Sequence, residues 1–470
     1  MRFGTLLVLF GCLLTSPIVS SSLSYAAARH VRCFQGHDAA APLYQALLEE
    51  NPHDGTTATR IAASPWAMQR LQHIGSYDTA DRIRTLLQQA NYTSASVNAV
   101  LGAHRTCPCP VYVKPARAGQ TNWTTTQEKL TTPVSVLVAL FLLGLAVPRA
   151  SLPEQWLQTG MVVPCDFDSS LVMAYVSLYP FDLPTGETLY FVTDWHPHVL
   201  SMTTRFLAEE EPVMYLGPDS LALAHHFILG VEETVEQWLD LCTGSGIQAI
   251  LAVKRQLCLH AVGVDVNPRA LRLAAFNARL NQVEDDQITF LQKDLLQDDP
   301  VPGNYQVITA NPPFLPVPPQ IPVHRHGWFS SGGPSGAAVV QAILQQAQNG
   351  LLEPGGKLAM VSEFFAKDGV YPPTGFGRAL LFTNASPLSV TEYARRRADS
   401  ATEYRIWRDH LADYDHMSPG LLYLHNTPQP SWNHVSVPAS SYGSLWTPGN
   451  VDAIQFTREC SQEYLGWFQS

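Results

Sequence analysis

The run Tyr305-Gln306-Val307-Ile308-Thr309-Ala310 ends in Asn311-Pro312-Pro313-Phe314, an amide followed by two prolines and an aromatic ring. An asparagine side-chain oxygen and the carbonyl of the proline after it are two acceptors that converge on one point. They can hold a planar amine or amide NH2 and draw its lone pair out of conjugation, toward an electrophile. The prolines fix the backbone without donors of their own. Phe314 offers an apolar face on which a planar group stacks. The catalytic candidates are therefore Asn311, Pro312 and Phe314.

Upstream, Leu239-Asp240-Leu241-Cys242-Thr243-Gly244-Ser245-Gly246 carries an apolar strand into a Gly-x-Gly turn. Glycines there allow positive φ and a close approach of the backbone to a ligand, and the helix that follows offers unpaired N–H groups. Val264-Asp265-Val266-Asn267 places a carboxylate 19 residues beyond Gly246. An acid at that strand end can accept from both hydroxyls of a ribose. Lys293-Asp294 follows the next strand, where a carboxylate can meet an exocyclic adenine amine. The cofactor-binding candidates are thus Asp240, Thr243, Gly244, Gly246, Asp265, Asn267, Asp294 and Asn311.

These residues need elements to hold them. Short apolar strands are expected at 238–241, 261–266, 288–291, 307–310 and 357–362, and helices at 247–255, 268–280 and 336–350. Strand–helix alternation of this kind predicts an α/β fold with a mostly parallel, doubly wound sheet. Before it, helical patterns near 42–48 and 81–87, a Pro/Gly/Thr-rich loop at 107–126, helices at 134–146 and 151–158, and short β runs suit a helical region followed by a winged-helix-like module. The expected division is a leader at 1–26, a helical and loop-rich region at 27–130, the module at 131–205, the α/β domain at 206–430 and a surface-packed tail at 431–470.

In order and placement, Gly244, Asp265, Asp294 and the Asn-Pro-Pro-Phe motif resemble the class I S-adenosylmethionine-dependent methyltransferases of the amino-methylating branch. The resemblance covers about 210–425 and is nearest to the HemK-like group. Gly332-Gly333-Pro334-Ser335-Gly336 matches that group's downstream glycine loop. Tyr215-Leu216-Gly217-Pro218-Asp219-Ser220 looks like the pre-core segment of the small-domain methyltransferases. The resemblance implies a Rossmann-like seven-stranded sheet and S-adenosylmethionine as cofactor. It also implies methyl transfer to a planar amide or amine nitrogen, a protein glutamine first. An exocyclic base nitrogen of RNA or DNA, or a small molecule, stands as the alternative acceptor. Phe314 departs from the tyrosine usual in the release-factor enzymes, and the N-terminal half differs from their short helical bundle. The expected mechanism is in-line displacement from a sulfonium, with the protein supplying position and electrostatics.

The remaining features narrow the field. The chain has 470 residues, 46% hydrophobic and 15% charged, with 35 prolines and a net charge of −11. That composition excludes a fibre, a collagen and a generally basic nucleic-acid coat, and it weighs against a bare nucleic-acid substrate. Eight cysteines, with Cys107-Pro-Cys109 the one close pair, make neither a disulfide framework nor a zinc knuckle. His196/His198, His225-His226 and His324/His326 lack further ligands at metal spacing, so no metal is expected. Residues 324–328 lie where a substrate-gating loop would sit and read as a solvated loop, in which Arg325 could meet an acidic substrate. Arg395-Arg396-Arg397 with Arg405 and Arg408 reads as a helix face. Residues 1–26 resemble a secretory leader, at odds with a cytosolic methyl donor, so the expected location is the cytoplasm or an organelle interior. The apolar stretch 134–147 is too short to span a bilayer and reads as a buried helix. Two rival functions remain: a dinucleotide-dependent oxidoreductase, which would need a third glycine, and a non-catalytic cofactor-binding interaction module.

Overall fold

The computed structural model describes residues 77–101, 130–143, 147–164, 169–174, 176–194, 213–297, 300–321, 329–398, 400–438, 440 and 443–468. The leader, the helical pattern near 42–48, Cys107-Pro-Cys109, His196, His198 and the 324–328 loop lie outside them. The chain divides into two compact units, one of 1–73, 115–175 and 197–209, the other of 74–114, 176–196 and 210–470. The borders expected at 130/131 and 205/206 do not coincide with this division.

Helices α1 (Tyr77–Gln89) and α2 (Ser94–Leu101) belong to the second unit. The described part of the first unit holds α3 (Pro133–Phe141), β1 (Val147–Pro148), α4 (Gln155–Gln158), β2 (Val162–Pro164) and β3 (Leu171–Ala174), with β3 central in a small antiparallel sheet. A capping box between Thr132 and Ser135 and Pro133 in the first turn start α3. Its residues Ser135 to Phe141 are buried, so the apolar stretch is a short core helix. Among the described residues no helix is long and apolar enough to cross a membrane.

The second unit continues with the hairpin β4 (Ser177–Asp182) and β5 (Thr188–Thr193), then α5 (Pro218–His226), β6 (Val235–Leu241), α6 (Ile247–Lys254), β7 (Cys258–Asp265), α7 (Pro268–Leu280), β8 (Ile288–Gln292) and β9 (Tyr305–Ala310). There follow α8 (Ala338–Gln346), β10 (Leu352–Ala366), β11 (Arg378–Asn384), β12 (Leu388–Ser389), α9 (Val390–Arg397), α10 (Ala401–His410), β13 (His416–His425), β14 (Ser431–Val437) and α11 (Val451–Leu465). The large sheet runs β8-β7-β6-β9-β10-β13-β11-β14, with β12 pairing to β13. Strands β8 to β10 of that order are parallel neighbours, and β13 runs antiparallel between β10 and β11. Leu239, Leu241, Val262, Val264, Ile308, Ala310, Leu358 and Met360 share one core cluster with Val339, Val340 and Ile343 of α8. Burial by helices is what lets these strands read as near-continuous apolar runs.

The five strands placed by sequence are present, and among the described residues the sheet has nine strands against the seven that the resemblance implies. The 431–470 segment accounts for one addition: Ser431 to Val437 pairs in parallel with Arg378 to Asn384 as an edge strand. Its sequence, Ser-Trp-Asn-His-Val-Ser-Val, is too polar to stand out as a strand, because an edge strand buries little of its surface. Beyond it α11 packs on β11 and α5, and Trp467 is buried. This segment is part of the fold and no mere surface tail.

The hairpin docks on α7 through two asparagines one turn apart. Asn277 Oδ1 accepts the Val192 N–H at 2.8 Å, and its Nδ2 donates to Val192 O at 2.9 Å and to Ser245 O at 2.8 Å. Asn281 Oδ1 accepts the Tyr190 N–H at 2.8 Å, and its Nδ2 donates to Tyr190 O at 2.8 Å. Both side chains are buried, and they satisfy strand-edge groups that would otherwise lack partners. Asn277→Ala strips a buried N–H and two carbonyls of their partners at once. The expected loss is about 3 kcal/mol of unfolding free energy in urea titrations followed by tryptophan fluorescence; a loss within error of zero would contradict the docking role.

Candidate active site

Chain order turns around at β6 and β9. From β6 the chain builds outward through β7 and β8, then returns to the other side of β6 with β9. The two strands are direct neighbours, with Leu241 opposite Ala310. Loops leaving the C-terminal ends of two such strands part to opposite faces, and the crevice between them is where this class of sheet takes ligands. Here the glycine turn leaves β6 and Asn311 leaves β9. A cavity of about 440 Å3 opens between them.

Six of the expected cofactor residues other than Asn311 line that cavity: Asp240, Thr243, Gly244, Asp265, Asn267 and Asp294. Asn311 lines it as well, together with Pro313. Gly246 lies behind the wall. It adopts φ +81° at the start of α6, and a Cβ there would sit 3.0 Å from that of Ala274. Gly244 has φ +54°, so both glycines use the left-handed region that the turn requires.

The carboxylates hold the turn as well as facing the cavity. Asp240 is 1% exposed and accepts from Thr243 Oγ1 at 2.6 Å and from Thr309 Oγ1 at 2.9 Å. Trp238 Nε1 donates in turn to Thr309 Oγ1 at 3.1 Å. Burial raises the Asp240 carboxyl to about 7, against the pull of the two hydroxyls, with nearby Asp265 adding to the rise. Asp265 Oδ2 accepts the Gly244 N–H at 2.9 Å and Oδ1 the Asn267 N–H at 2.9 Å. Its carboxyl is also raised by burial. Each oxygen retains a second lone pair for a ligand hydroxyl. Asn267 caps α7 by accepting from the Arg269 N–H at 3.0 Å. Asp294 caps the turn after β8, accepting from the Leu296 N–H at 3.0 Å.

Asn311 Nδ2 donates to Asp219 Oδ2 at 3.1 Å and to Ser220 Oγ at 2.9 Å, while its Oδ1 is buried without a partner. Asp219 and Ser220 sit in the first turn of α5 and did not register as functional candidates in the sequence, because 92 residues separate Asp219 from Asn311. The one signal was the Tyr215 to Ser220 segment, of which Tyr215, Leu216 and Ser220 line the cavity. Cys242, Phe329 and Val339 line it too and carried no signal. Pro312 and Phe314 are not on the wall. The Phe314 ring packs against Trp446, with centroids 5.6 Å apart at 52°.

The glycine loop braces this exit. Gly332 N–H donates to Leu315 O at 3.0 Å, Val317 N–H to Gly333 O at 3.1 Å and Leu315 N–H to Ser330 O at 2.8 Å. Other titratable groups singled out in the sequence make scaffold contacts. His226 bonds Thr457 Oγ1 at 2.8 Å and Leu445 O at 3.0 Å, and burial lowers its pKa to about 3. Arg395 and Arg396 pair with Glu392, as a helix face would, whereas Arg397 turns inward to Glu363 Oε1 at 2.8 Å.

Comparison with known proteins agrees with this geometry. Residues 220–371 match the family described as methyltransferase small domain. A release factor glutamine methyltransferase of Synechocystis is 29% identical over 45% of this chain and 74% of its own length. A ribosomal protein uL3 glutamine methyltransferase of Bordetella pertussis is 35% identical over 34% of this chain and 63% of its own. A release factor glutamine methyltransferase of Mycolicibacterium smegmatis is 31% identical over 26% of this chain and 44% of its own. Strand order, glycine turn and family match converge on residues 220–371, which match a methyltransferase small domain.

Proposed function

We propose that the protein is an S-adenosylmethionine-dependent N-methyltransferase whose acceptor is the side-chain amide of a protein glutamine. The observation that carries this reading is the buried, unpartnered Oδ1 of Asn311 at the exit of β9. A buried acceptor without a donor is costly, and an acceptor amide N–H supplies one. The glutamine-directed names of the relatives support the acceptor class.

The cavity residues suit the cofactor. Asp265 would accept from the ribose hydroxyls, and Asp294, at the next strand end, would accept from the adenine amine. Both contacts need only acceptors. S-adenosylmethionine supplies an activated methyl on a sulfonium, so the chain itself needs no nucleophile. Asn311 Oδ1 accepts an N–H of the acceptor and orients its lone pair; Pro312, the expected second acceptor, is off the cavity wall. Pro313 limits the approach from the cavity side, and Phe314 backs the motif. The acceptor nitrogen loses one proton to solvent as the new N–C bond forms, so the amide product leaves neutral.

Two measurements bear on this reading. Asn311→Ala should lower transfer of labelled methyl to a glutamine-containing protein by 100-fold or more, about the cost of one lost transition-state partner, with cofactor affinity by calorimetry changed far less. Label that survives protease and disappears with nuclease would instead identify a nucleic-acid acceptor. The second concerns Asp240. Its pKa is raised in the folded protein, so the native state binds its proton more tightly than the unfolded chain does. Stability therefore falls as pH rises from about 4 through about 7. Asn at this position keeps both threonine partners through its amide. Asp240→Asn should recover on the order of 3 kcal/mol of stability at pH 8 and little at pH 4, seen by calorimetric melting at both pH values. An equal gain at both would contradict the assignment.

A further inference from the structure

We propose that Asp219 is a positioning residue for methyl transfer: its carboxylate, with Ser220 Oγ, takes the Nδ2 end of the Asn311 amide and so turns Oδ1 toward the acceptor nitrogen. The proposal rests on the reading above, in which Oδ1 receives the acceptor N–H. An asparagine amide is nearly the same shape either way round, and only its partners decide which end faces outward. Oδ1 outward receives an N–H. Nδ2 outward would face the acceptor's NH2 donor to donor.

Three observations support it. The donor end is spoken for twice, at 3.1 Å by Asp219 Oδ2 and at 2.9 Å by Ser220 Oγ, and the acceptor end has no partner. The carboxylate is a pure acceptor when ionised, so it admits only one orientation of the amide. Gly217 also leaves room for it, since a Cβ there would crowd Asp219 Oδ1. Glycine at the start of α5 is thus what allows the carboxylate to fold back over the helix end, where the backbone N–H groups of its first turn favour negative charge.

The same geometry makes the orientation depend on pH. Burial raises the Asp219 carboxyl to about 6, helped by the like charge of Glu363 on β10; Asn311 and the backbone N–H groups of Ser220 and Asp219 oppose the rise. Glu363 is itself bonded by Tyr393 Oη at 2.7 Å and Arg397 Nη2 at 2.8 Å from α9. One proton taken from solvent makes Asp219 a donor, and the acceptor nearest to it is then Asn311 Oδ1 once the amide has turned over. Methyl transfer should therefore fall as pH drops through about 6.

The test compares the full-length wild type with Asp219→Asn and Ser220→Ala. It uses the pH profile of kcat on a glutamine peptide and the pH dependence of the Asn311 side-chain amide signal in 15N NMR, assigned by its loss in Asn311→Gln. The wild type should show an acid limb and an amide titration, both with midpoints near 6. Asp219→Asn, able to donate or accept, should lose both, with kcat down about 100-fold, the effect of a misplaced reacting group, and cofactor affinity within twofold. Ser220→Ala retains the carboxylate and should keep both midpoints. An amide signal flat from pH 5 to pH 8 in the wild type would overturn the proposal, as would an Asp219→Asn enzyme with unchanged kcat and acid limb. The NMR titration needs no substrate. Failure of the wild type to methylate glutamine would count against the acceptor assignment alone, and the titration would still judge Asp219.

Discussion

The joint between β6 and β9 is fastened by a carboxylate buried where carboxylates are costly. Asp240 lies opposite Thr309 in the register of the two strands, and its oxygens take hydroxyls from Thr309 and Thr243. The first bond ties strand to strand, and the second ties the strand to the turn that follows it. The depth of the glycine turn relative to Asn311 is set at this point, because both leave the sheet within three residues of the joint. Trp238 extends the chain of bonds through Thr309, and a connected network of this kind holds its members more firmly than separate pairs would. Hydrophobic burial sets the sheet's order, while this polar joint sets how its two functional exits stand relative to each other.

Helix α7 passes that geometry to the segments outside the sheet. Asn277 bonds both Val192 of the hairpin and the Ser245 carbonyl inside the glycine turn. Arg269, in the first turn of the same helix, makes a two-point ion pair with Asp194 at 2.9 and 2.6 Å, and Asp194 also accepts the Val213 N–H at 2.8 Å. Both charges are almost fully buried, with side-chain exposures of 2% and 6%. Such a pair adds little net stability over an apolar one, yet removal of one partner leaves a buried charge. Its contribution here is one of placement: it fixes the end of the hairpin and the point where the chain re-enters toward Tyr215 and α5. The accessory hairpin thereby touches the site through two residues of one helix.

The parts legible in the sequence are those whose chemistry is local. A glycine turn, a carboxylate at a strand end and Asn-Pro-Pro-Phe each announce themselves within a few residues, and the strand–helix alternation gave their order in space. What escaped was set by partners far along the chain. Asp219 acquires its role from Asn311, 92 residues away, and Asp194 from Arg269, 75 away. Phe314 was expected to offer its face to a planar acceptor, but Trp446 lies against it, and Trp446 belongs to a segment whose Ser/Pro-rich composition hid both a strand and a helix. Asp240, Asn267 and Asp294 were expected at the cofactor, and each also has a structural bond that spacing alone does not reveal. Periodicity reports which face is buried, but not which buried polar groups find one another.

Three carboxyls at this site, Asp219, Asp240 and Asp265, are all pushed above the usual range by burial. Taken separately, each is a cost to the fold: ionising a buried carboxylate at neutral pH opposes folding. Two of them line the cavity, and the third precedes Ser220, which does. Asp240, Asp265 and Asp294 line the cavity against one lysine, Lys293, a balance that suits a ligand carrying positive charge. S-adenosylmethionine has two positive centres, a sulfonium and an ammonium, and a positive charge nearby favours the ionised carboxylate that burial disfavours. Binding energy and folding energy are then linked: whatever these acids subtract from the stability of the free protein, a cationic ligand partly restores, because anything that binds the folded state alone stabilises it. The transferred methyl leaves behind a neutral thioether, so one of the two charges that held the ligand is gone after turnover. Under the proposed function, these acids would hold the cofactor more tightly than its product.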